Sequence, residues 1–205
     1  MTKFLFTCVH PDDLEFNCSN LMHYLATHGH EVEILSLTKG EFGIFEDEWK
    51  GHRLAKIRVK ELKEAALVNG VKKEDVHFSE IVDGFVRFTG EHVEKKKKRI
   101  NEICPDVLIA PEGYYTYYWH PDHINCGRIA YYLFKNQKKS LEFPIHSLLL
   151  YTTTKPNFYW PFNSTKQAEN ALYQHQSQWW VLKWNKIFYP VQKRNTKRNL
   201  LGPWK

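Results

Sequence analysis

Short apolar runs alternate with longer amphipathic segments along this chain, and this alternation limits the folds that the chain can adopt. The runs at residues 3–9 and 105–111 have the length and continuity of buried strands, and residues 31–38 form a further predicted strand. Segments with apolar residues at helical spacing separate them, and glycine or proline ends several of these segments. We therefore predict an α/β fold: a single-domain, Rossmann-like parallel sheet flanked by helices.

The predicted elements alternate over the length of the chain. The strands are expected at residues 3–9, 31–38, 75–80, 105–111 and 145–152. The helices are expected at residues 15–28, 52–69, 91–104, 124–137 and about 165–184. The sequence contains no linker, so we predict one domain over residues 1–205, with a basic tail from about residue 193.

Composition narrows the classes of protein that the sequence fits. With 42% hydrophobic and 25% charged residues, the chain resembles an ordinary globular protein. No apolar run approaches membrane-spanning length, and the first residues become polar too soon for a signal peptide. The four cysteines form no CxxC pair, so we expect them to be reduced and the protein to be cytoplasmic.

The net charge of +6 raises the question of nucleic-acid binding. Much of this charge lies at residues 95–99 and in the tail. Because Ile100 and Ile103 follow the first group at helical spacing, we interpret residues 95–99 as a solvated helix face. Nucleic acid is therefore not the expected partner. That alternative predicts an affinity that falls steeply with salt.

Two clusters of histidine and aspartate follow predicted strands. His10, Asp12 and Asp13 come directly after the first strand, and His120 and His123 follow the fourth. In open α/β sheets, ligands bind beyond the carboxyl ends of the strands, where the strand order reverses. In the usual order, the first and fourth strands are neighbours at that point. The two clusters should therefore meet in one crevice, at the carboxyl ends of strands 1 and 4.

The residue types in these clusters predict a metal site. His10, Asp13 and His123 provide two imidazoles and a carboxylate, which leave a fourth position for water as in catalytic zinc sites. Neither cluster contains a cysteine. We predict one catalytic Zn²⁺ ion, with Fe²⁺ as the alternative because the same ligand set suits ferrous iron.

The remaining residues of the clusters suggest acid–base chemistry. Asp12, next to a ligand, is placed to accept a proton from an attacking water. His120 is placed to donate a hydrogen bond or a proton to the oxyanion or leaving amine, and Asp122 to orient that histidine. A simpler alternative is that each HPD sequence only starts a helix, where an acidic residue is favoured in the first turn.

The chain resembles the PIG-L/LmbE-like zinc-dependent N-deacetylases. HPDDLE at residues 10–15 and HPDH at residues 120–123 are similar to the two metal motifs of the family. Weaker similarities follow in the family's order: SLTKGEFG at 36–43, the R-x-x-E-L pattern within 57–71, and ALYQHQSQ at 171–178. The resemblance implies zinc held by His10, Asp13 and His123. It further implies the base, acid and orienting roles named above for Asp12, His120 and Asp122.

The resemblance also implies substrate-binding residues. Arg58 matches an arginine that contacts the sugar, although it could be a solvated helix residue or pair with Glu61. Asp83 corresponds to an acid that binds a sugar hydroxyl, although Asp-Gly is also a turn signal. His175 could line the pocket or serve packing alone.

The function that the resemblance implies is hydrolysis of an acetyl group from an N-acetylated amino-sugar conjugate. One departure from the family lies at residues 17–20, where Asn-Cys-Ser-Asn replaces a glycine-rich stretch. An alternative is therefore a carbohydrate- or nucleotide-binding protein that keeps the metal but lacks the activity. A homo-oligomer is left open.

Overall fold

The computed structural model describes residues 1–157, 160 and 166–178, and within them five strands form one parallel sheet. The strands are β1 (Lys3–Cys8), β2 (Glu31–Ser36), β3 (Val76–Phe78), β4 (Val107–Pro111) and β5 (Ser147–Tyr151). Their order across the sheet is β3-β2-β1-β4-β5. The order reverses between β1 and β4, as the doubly wound α/β prediction requires.

Helices connect the strands. They are α1 (Asp13–Asn17), α2 (Ser19–Thr27), α3 (His52–Val68), α4 (Gly90–Ile103), α5 (Pro121–Lys135), α6 (Gln137–Ser140) and α7 (Lys166–Leu172). In the described part of the chain there are also three short 3₁₀ helices, at Asp47–Trp49, Lys73–Asp75 and Gln176–Gln178.

Two apolar layers cover the two faces of the sheet. Alternate residues of β1 point to opposite faces, so that Leu5 packs with α4 and α5 while Phe6 packs with α2 and α3. Both side chains are completely buried. The continuous apolar runs therefore correspond to strands covered by helices on both sides, which confirms the predicted α/β class.

Two predicted helices differ from the observed ones. The segment 15–28 forms two helices, because the backbone leaves helical geometry at Cys18, with φ of −131° and ψ of −2°. The last predicted helix contains α7 and the Gln176–Gln178 turn, while its predicted part at 179–184 lies outside the described residues. The basic tail from residue 193 also lies outside them.

Lys96 contradicts the interpretation of residues 95–99 as a fully solvated helix face. Its side chain is completely buried. The ammonium donates to Thr7 Oγ1 at 3.3 Å, to the Cys126 carbonyl at 3.3 Å and to Cys126 Sγ at 3.5 Å. Lys96 lies on the same helical face as Val93 and Ile100, so helical spacing turns it inward. Its three hydrogen bonds join β1 to α5.

Within residues 1–157, 160 and 166–178, no helix has the length and apolar character needed to cross a bilayer.

Candidate metal centre and active site

The two histidine–aspartate clusters meet at the carboxyl edge of the sheet. β1 and β4 are hydrogen-bonded neighbours, with Phe6 paired to Ile109. His10 lies in the turn after β1, and His123 lies in the first turn of α5, which follows β4. This parallel pairing brings together residues separated by 113 positions in the sequence.

Three potential ligand atoms lie at the spacing that a tetrahedral metal needs. His123 Nε2 is 3.2 Å from His10 Nδ1 and 3.4 Å from Asp13 Oδ1, and the remaining pair is 3.7 Å apart. Metal–ligand bonds of about 2.0–2.2 Å give tetrahedral ligand spacings of about 3.3 Å. The donor triad, defined as His10, Asp13 and His123, therefore fits a metal ion in both chemistry and distance.

The two carboxylate oxygens of Asp13 have different partners. Oδ2 accepts hydrogen bonds from the backbone N–H groups of Val9 and His10, at 2.9 and 2.8 Å. Oδ1 is thereby held toward the two imidazoles. Burial opposes ionisation of Asp13, but the hydrogen bonds from His10 and the charge of its ring outweigh this effect and hold the pKa of Asp13 well below the usual range. Asp13 is thus an ionised carboxylate whose Oδ1 is oriented as a potential metal ligand.

His123 is held as a neutral imidazole. It is 2% exposed, and burial lowers its pKa to about 4 despite the nearby charge of Asp13. A neutral ring keeps a lone pair for coordination. Its Nδ1 has no hydrogen-bond partner among the described residues.

Asp83 contacts the ring nitrogen of His10 that points away from the donor triad. Its Oδ1 lies 2.9 Å from His10 Nε2, and its Oδ2 accepts the Phe42 N–H at 3.0 Å. Burial opposes protonation of His10, but Asp13 and Asp83 outweigh it and raise the pKa of His10 to about 10. Of the two ring protons, a bound metal would displace the one on Nδ1, and Asp83 would keep the one on Nε2, as carboxylates behind metal-binding histidines do.

Arg58 contacts the side chain of Asp12. Its NH2 donates to Asp12 Oδ1 at 2.9 Å, and its NH1 donates to the Gly40 carbonyl at 3.1 Å. Arg58 is 2% exposed, so the solvated-helix alternative is wrong. The alternative pair with Glu61 is also wrong, because Glu61 accepts from the backbone and hydroxyl of Ser177, each at 2.6 Å.

Two glycines provide the space that Arg58 occupies. A Cβ on Gly40 would lie 2.6 Å from Arg58 Cζ, and one on Gly43 would overlap Arg58 NH1. Gly40 also has a φ of +67°, which favours glycine. The Gly-x-x-Gly spacing after β2 therefore serves the approach of an arginine.

His120 caps helix α5 through its own ring. Its Nδ1 accepts the Asp122 N–H at 3.3 Å, which leaves the proton of a neutral ring on Nε2. The Asp122 carboxylate does not contact His120: its Oδ2 accepts the Gly84 N–H at 2.8 Å, and Arg87 NH1 lies 3.8 Å from Oδ1. The backbone N–H of Asp122 thus orients the His120 ring, and the Asp122 carboxylate contributes only a nearby charge. Burial raises the pKa of Asp122.

His175 lies behind the site. It is completely buried, and its Nε2 lies 3.2 Å from Glu15 Oε2. Glu15 also accepts from Asn69 Nδ2 at 3.2 Å, and Asn69 accepts from the Ser19 hydroxyl at 2.6 Å. The segment that departs from the glycine-rich family stretch thus takes part in a buried polar network. Complete burial of His175 favours the packing interpretation over pocket lining.

Two glycines that sequence reasoning missed set the position of α5. A Cβ on Gly127 would overlap the Pro111 carbonyl oxygen and lie 2.6 Å from the Gly113 nitrogen. A Cβ on Gly113 would lie 2.5 Å from the backbone nitrogen of Arg128. Helix α5 therefore packs backbone-to-backbone against the end of β4. Their spacing in the sequence gave no recognisable signal.

Neighbouring groups could also hold a cation. Ligand atoms of His10, His120 and His123 lie within 4.8 Å of one another, and so do those of His10, Asp83 and Asp122. His10 belongs to both sets, so the metal-binding groups form one continuous cluster.

The fold and the converging imidazoles and carboxylates define an α/β protein with a candidate metal centre. A sequence model of the PIG-L family, described as GlcNAc-PI de-N-acetylase, matches residues 5–134. This match covers more than half of the sequence, and the chain belongs to the PIG-L family. It is a hydrolase with an α/β fold, and two of its relatives are named as deacetylases, which hydrolyse amide bonds.

Two relatives of this chain are named as deacetylases. The chain is 28% identical over 181 residues to diacetylchitobiose deacetylase of Thermococcus kodakarensis, covering 82% of this chain and 67% of the relative. It is 26% identical to 1D-myo-inositol 2-acetamido-2-deoxy-alpha-D-glucopyranoside deacetylase of Corynebacterium kroppenstedtii, covering 60% of this chain but only 38% of that protein.

The solved structure of another deacetylase is also similar to this chain. N,N'-diacetylchitobiose deacetylase from Pyrococcus horikoshii, in complex with its inhibitor MPG, superposes with a TM-score of 0.77 at 27% identity. The superposition covers 86% of this chain and 70% of that one. The conserved protein TT1542 from Thermus thermophilus has a TM-score of 0.76 at 23% identity, covering 100% of this chain and 99% of that one, which supports the fold alone.

Proposed function

We propose that the crevice between β1 and β4 hydrolyses the acetamide of an N-acetylated amino sugar of the N-acetylglucosamine type. Water is consumed, and acetate and a free amine are released. The observation that carries this proposal is the donor triad, with its spacing of 3.2–3.7 Å and its neighbouring carboxylate and imidazole. Family membership agrees with this assignment.

His10, Asp13 and His123 would hold the metal, which we propose to be a single Zn²⁺ ion, with Fe²⁺ as the alternative. When bound, such an ion polarises the amide carbonyl and lowers the pKa of a coordinated water. Asp83 supports this ligand set by keeping the proton of His10 on Nε2. This role replaces direct binding of a sugar hydroxyl as our first proposal for Asp83.

Asp12 is the proposed general base. It lies next to ligand Asp13 and is 8% exposed, so a water beside the metal would have it as a near acceptor. Arg58 holds Oδ1 of Asp12 and leaves Oδ2 for the proton. We therefore propose Arg58 as a residue that positions the base, because its burial leaves little surface for a sugar.

His120 is the proposed donor to the oxyanion and to the leaving amine. Its Nδ1 accepts a backbone N–H, so Nε2 carries the proton that can be donated. Asp122 is proposed to act on His120 through its backbone N–H and its charge. His175 is proposed to stabilise the polar network behind the site.

The test is acetate release from a panel of N-acetylglucosamine conjugates, combined with metal analysis. Asp12→Asn should lower turnover by about 100- to 10,000-fold while the metal stays bound. Asp13→Ala should lose the metal itself. The matched control is Asp75→Asn. Asp75 precedes β3, so it lies at the amino ends of the strands, away from the carboxyl ends where the site is found.

Unchanged acetate release by Asp12→Asn would overturn the assignment of the base. Binding of N-acetyl sugars by metal-loaded protein without any acetate release would favour a binding protein instead. Residence in the cytoplasm and formation of a homo-oligomer remain predictions.

A further inference from the structure

Exposed aromatic side chains lie on three loops at the carboxyl edge of the sheet. We call four of them the aromatic rim: Phe42, Phe85, Tyr117 and Trp119. They are 47%, 60%, 62% and 78% exposed. Phe42 follows β2, Phe85 follows β3, and the other two follow β4. All four therefore lie on the side of the sheet where the donor triad is found.

Short contacts connect these loops to the active site. The backbone N–H of Phe42 donates to Asp83, the residue behind His10, at 3.0 Å. Gly84, next to Phe85, donates to Asp122 at 2.8 Å. Between Tyr117 and Trp119, the ring of Tyr118 lies 4.7 Å from the ring of His123. Each rim residue thus either contacts a residue of the site or lies next to one that does.

Large apolar rings exposed on contacting loops are candidates for a binding surface in a soluble protein. A reacting acetamide occupies only the donor triad and the groups beside it. The rest of the substrate has to leave the crevice past the surrounding loops. The rim therefore offers flat apolar surfaces to whatever is covalently attached to the reacting sugar.

We propose that the aromatic rim binds further sugar rings, so that the preferred substrate is an oligosaccharide rather than a single N-acetylated sugar. This proposal rests on the proposed deacetylase function. Sugar rings present flat C–H faces that stack on aromatic rings, and their hydroxyl groups remain free to bond with water and with exposed polar groups. A rim of separate rings suits several such units in succession.

The charges on the same loops favour an uncharged ligand. Glu46, Asp47, Glu48 and Glu80 are exposed there. Lys50 pairs with Asp47 at 2.6 Å, and Lys39 with Glu80 at 3.3 Å. These loops thus lack the excess of positive charge that binding to an anionic lipid surface or nucleic acid requires. These acidic loops do not repel a neutral sugar chain.

The test is a length series of N-acetylated chito-oligosaccharides, from the monosaccharide to the tetrasaccharide. We expect kcat/KM for the tetrasaccharide to exceed that for the monosaccharide by about tenfold or more, as stacking on two or three rings would give. Trp119→Ala and Phe85→Ala should each reduce this ratio by about threefold or more. Tyr24→Ala is the matched control, because Tyr24 is 41% exposed on α2, away from the rim loops.

Calorimetric binding of the same sugars separates the rim from the chemistry. If no sugar releases acetate but the tetrasaccharide binds more tightly than the monosaccharide, and Trp119→Ala removes the gain, the rim proposal stands and the deacetylase proposal fails. Equal kcat/KM and equal affinity for all lengths would overturn the rim proposal. So would a gain seen only with an alkyl N-acetylglucosaminide, which would assign the rim to an apolar aglycone.

Discussion

The donor triad and the aromatic rim share one edge of the sheet but differ in how they are held. Asp13, His123 and their supporting groups are buried, and most of their polar atoms have partners. The rim residues are at least 47% exposed. The proposed reaction thus depends on groups that the fold immobilises, whereas the proposed substrate choice depends on side chains that can change without disturbing the core.

The largest effect is expected from breaking the support of Asp12. Arg58→Met should reduce the free energy of unfolding by about 3–5 kcal/mol, because it leaves a buried carboxylate without its cation. Urea denaturation measures this change. Arg53→Met is the control, since Arg53 is exposed on the same helix and lies 3.4 Å over the ring of Trp49. Similar losses for the two variants would show that Arg58 is not part of an immobilised site.

The next effect concerns the junction that places His123. Gly127→Ala should destabilise the protein by about 3 kcal/mol, because its Cβ would meet backbone atoms that cannot move aside. Gly90→Ala is the matched control: a Cβ there would have no atom within 4 Å, and α4 begins at this residue. Thermal unfolding of both variants checks the difference. A tolerated Gly127→Ala would contradict the close packing of α5 on β4.

A smaller effect is expected one contact away from the metal. Asp83→Asn should raise the dissociation constant for zinc by about 10- to 100-fold, as loss of a carboxylate behind a metal-binding histidine does. Competition with a chromophoric chelator measures it. Asp75→Asn should leave the zinc affinity unaltered. An unaltered affinity in Asp83→Asn would instead return Asp83 to the substrate-binding role.

The smallest effect is a dependence of stability on pH. Burial opposes protonation of His175, but Glu15 outweighs it and raises the pKa of His175. The resulting stabilisation is fully present below the unfolded pKa of about 6.5 and is lost as pH rises through the folded value. His175→Gln should therefore cost more stability at about pH 6 than at about pH 9.

Urea denaturation at both pH values tests this sign. His146→Gln is the control, because the His146 side chain is 68% exposed. A cost that grows with pH would show that His175 is neutral in the folded protein.

The sequence was sufficient to predict the sheet and the meeting of the two clusters. Buried strands have a recognisable pattern, and parallel topology then fixes which ends meet. His10 and His123 could be paired for this reason. The pairing of Arg58 with Asp12 could not be predicted, because a position on a helix does not show what lies opposite it. Lys96 was misinterpreted because its charge was given more weight than its spacing from Val93 and Ile100.

The contact between Gly113 and Gly127 has a consequence for how this protein can change over evolution. Because backbone meets backbone there, no side-chain volume sets the separation of α5 from β4. Apolar residues elsewhere on α5, such as Ile129 and Leu133, can therefore drift in size while His123 keeps its distance from the sheet. Gly113 and Gly127 thus keep the position of His123 independent of changes in the size of core side chains.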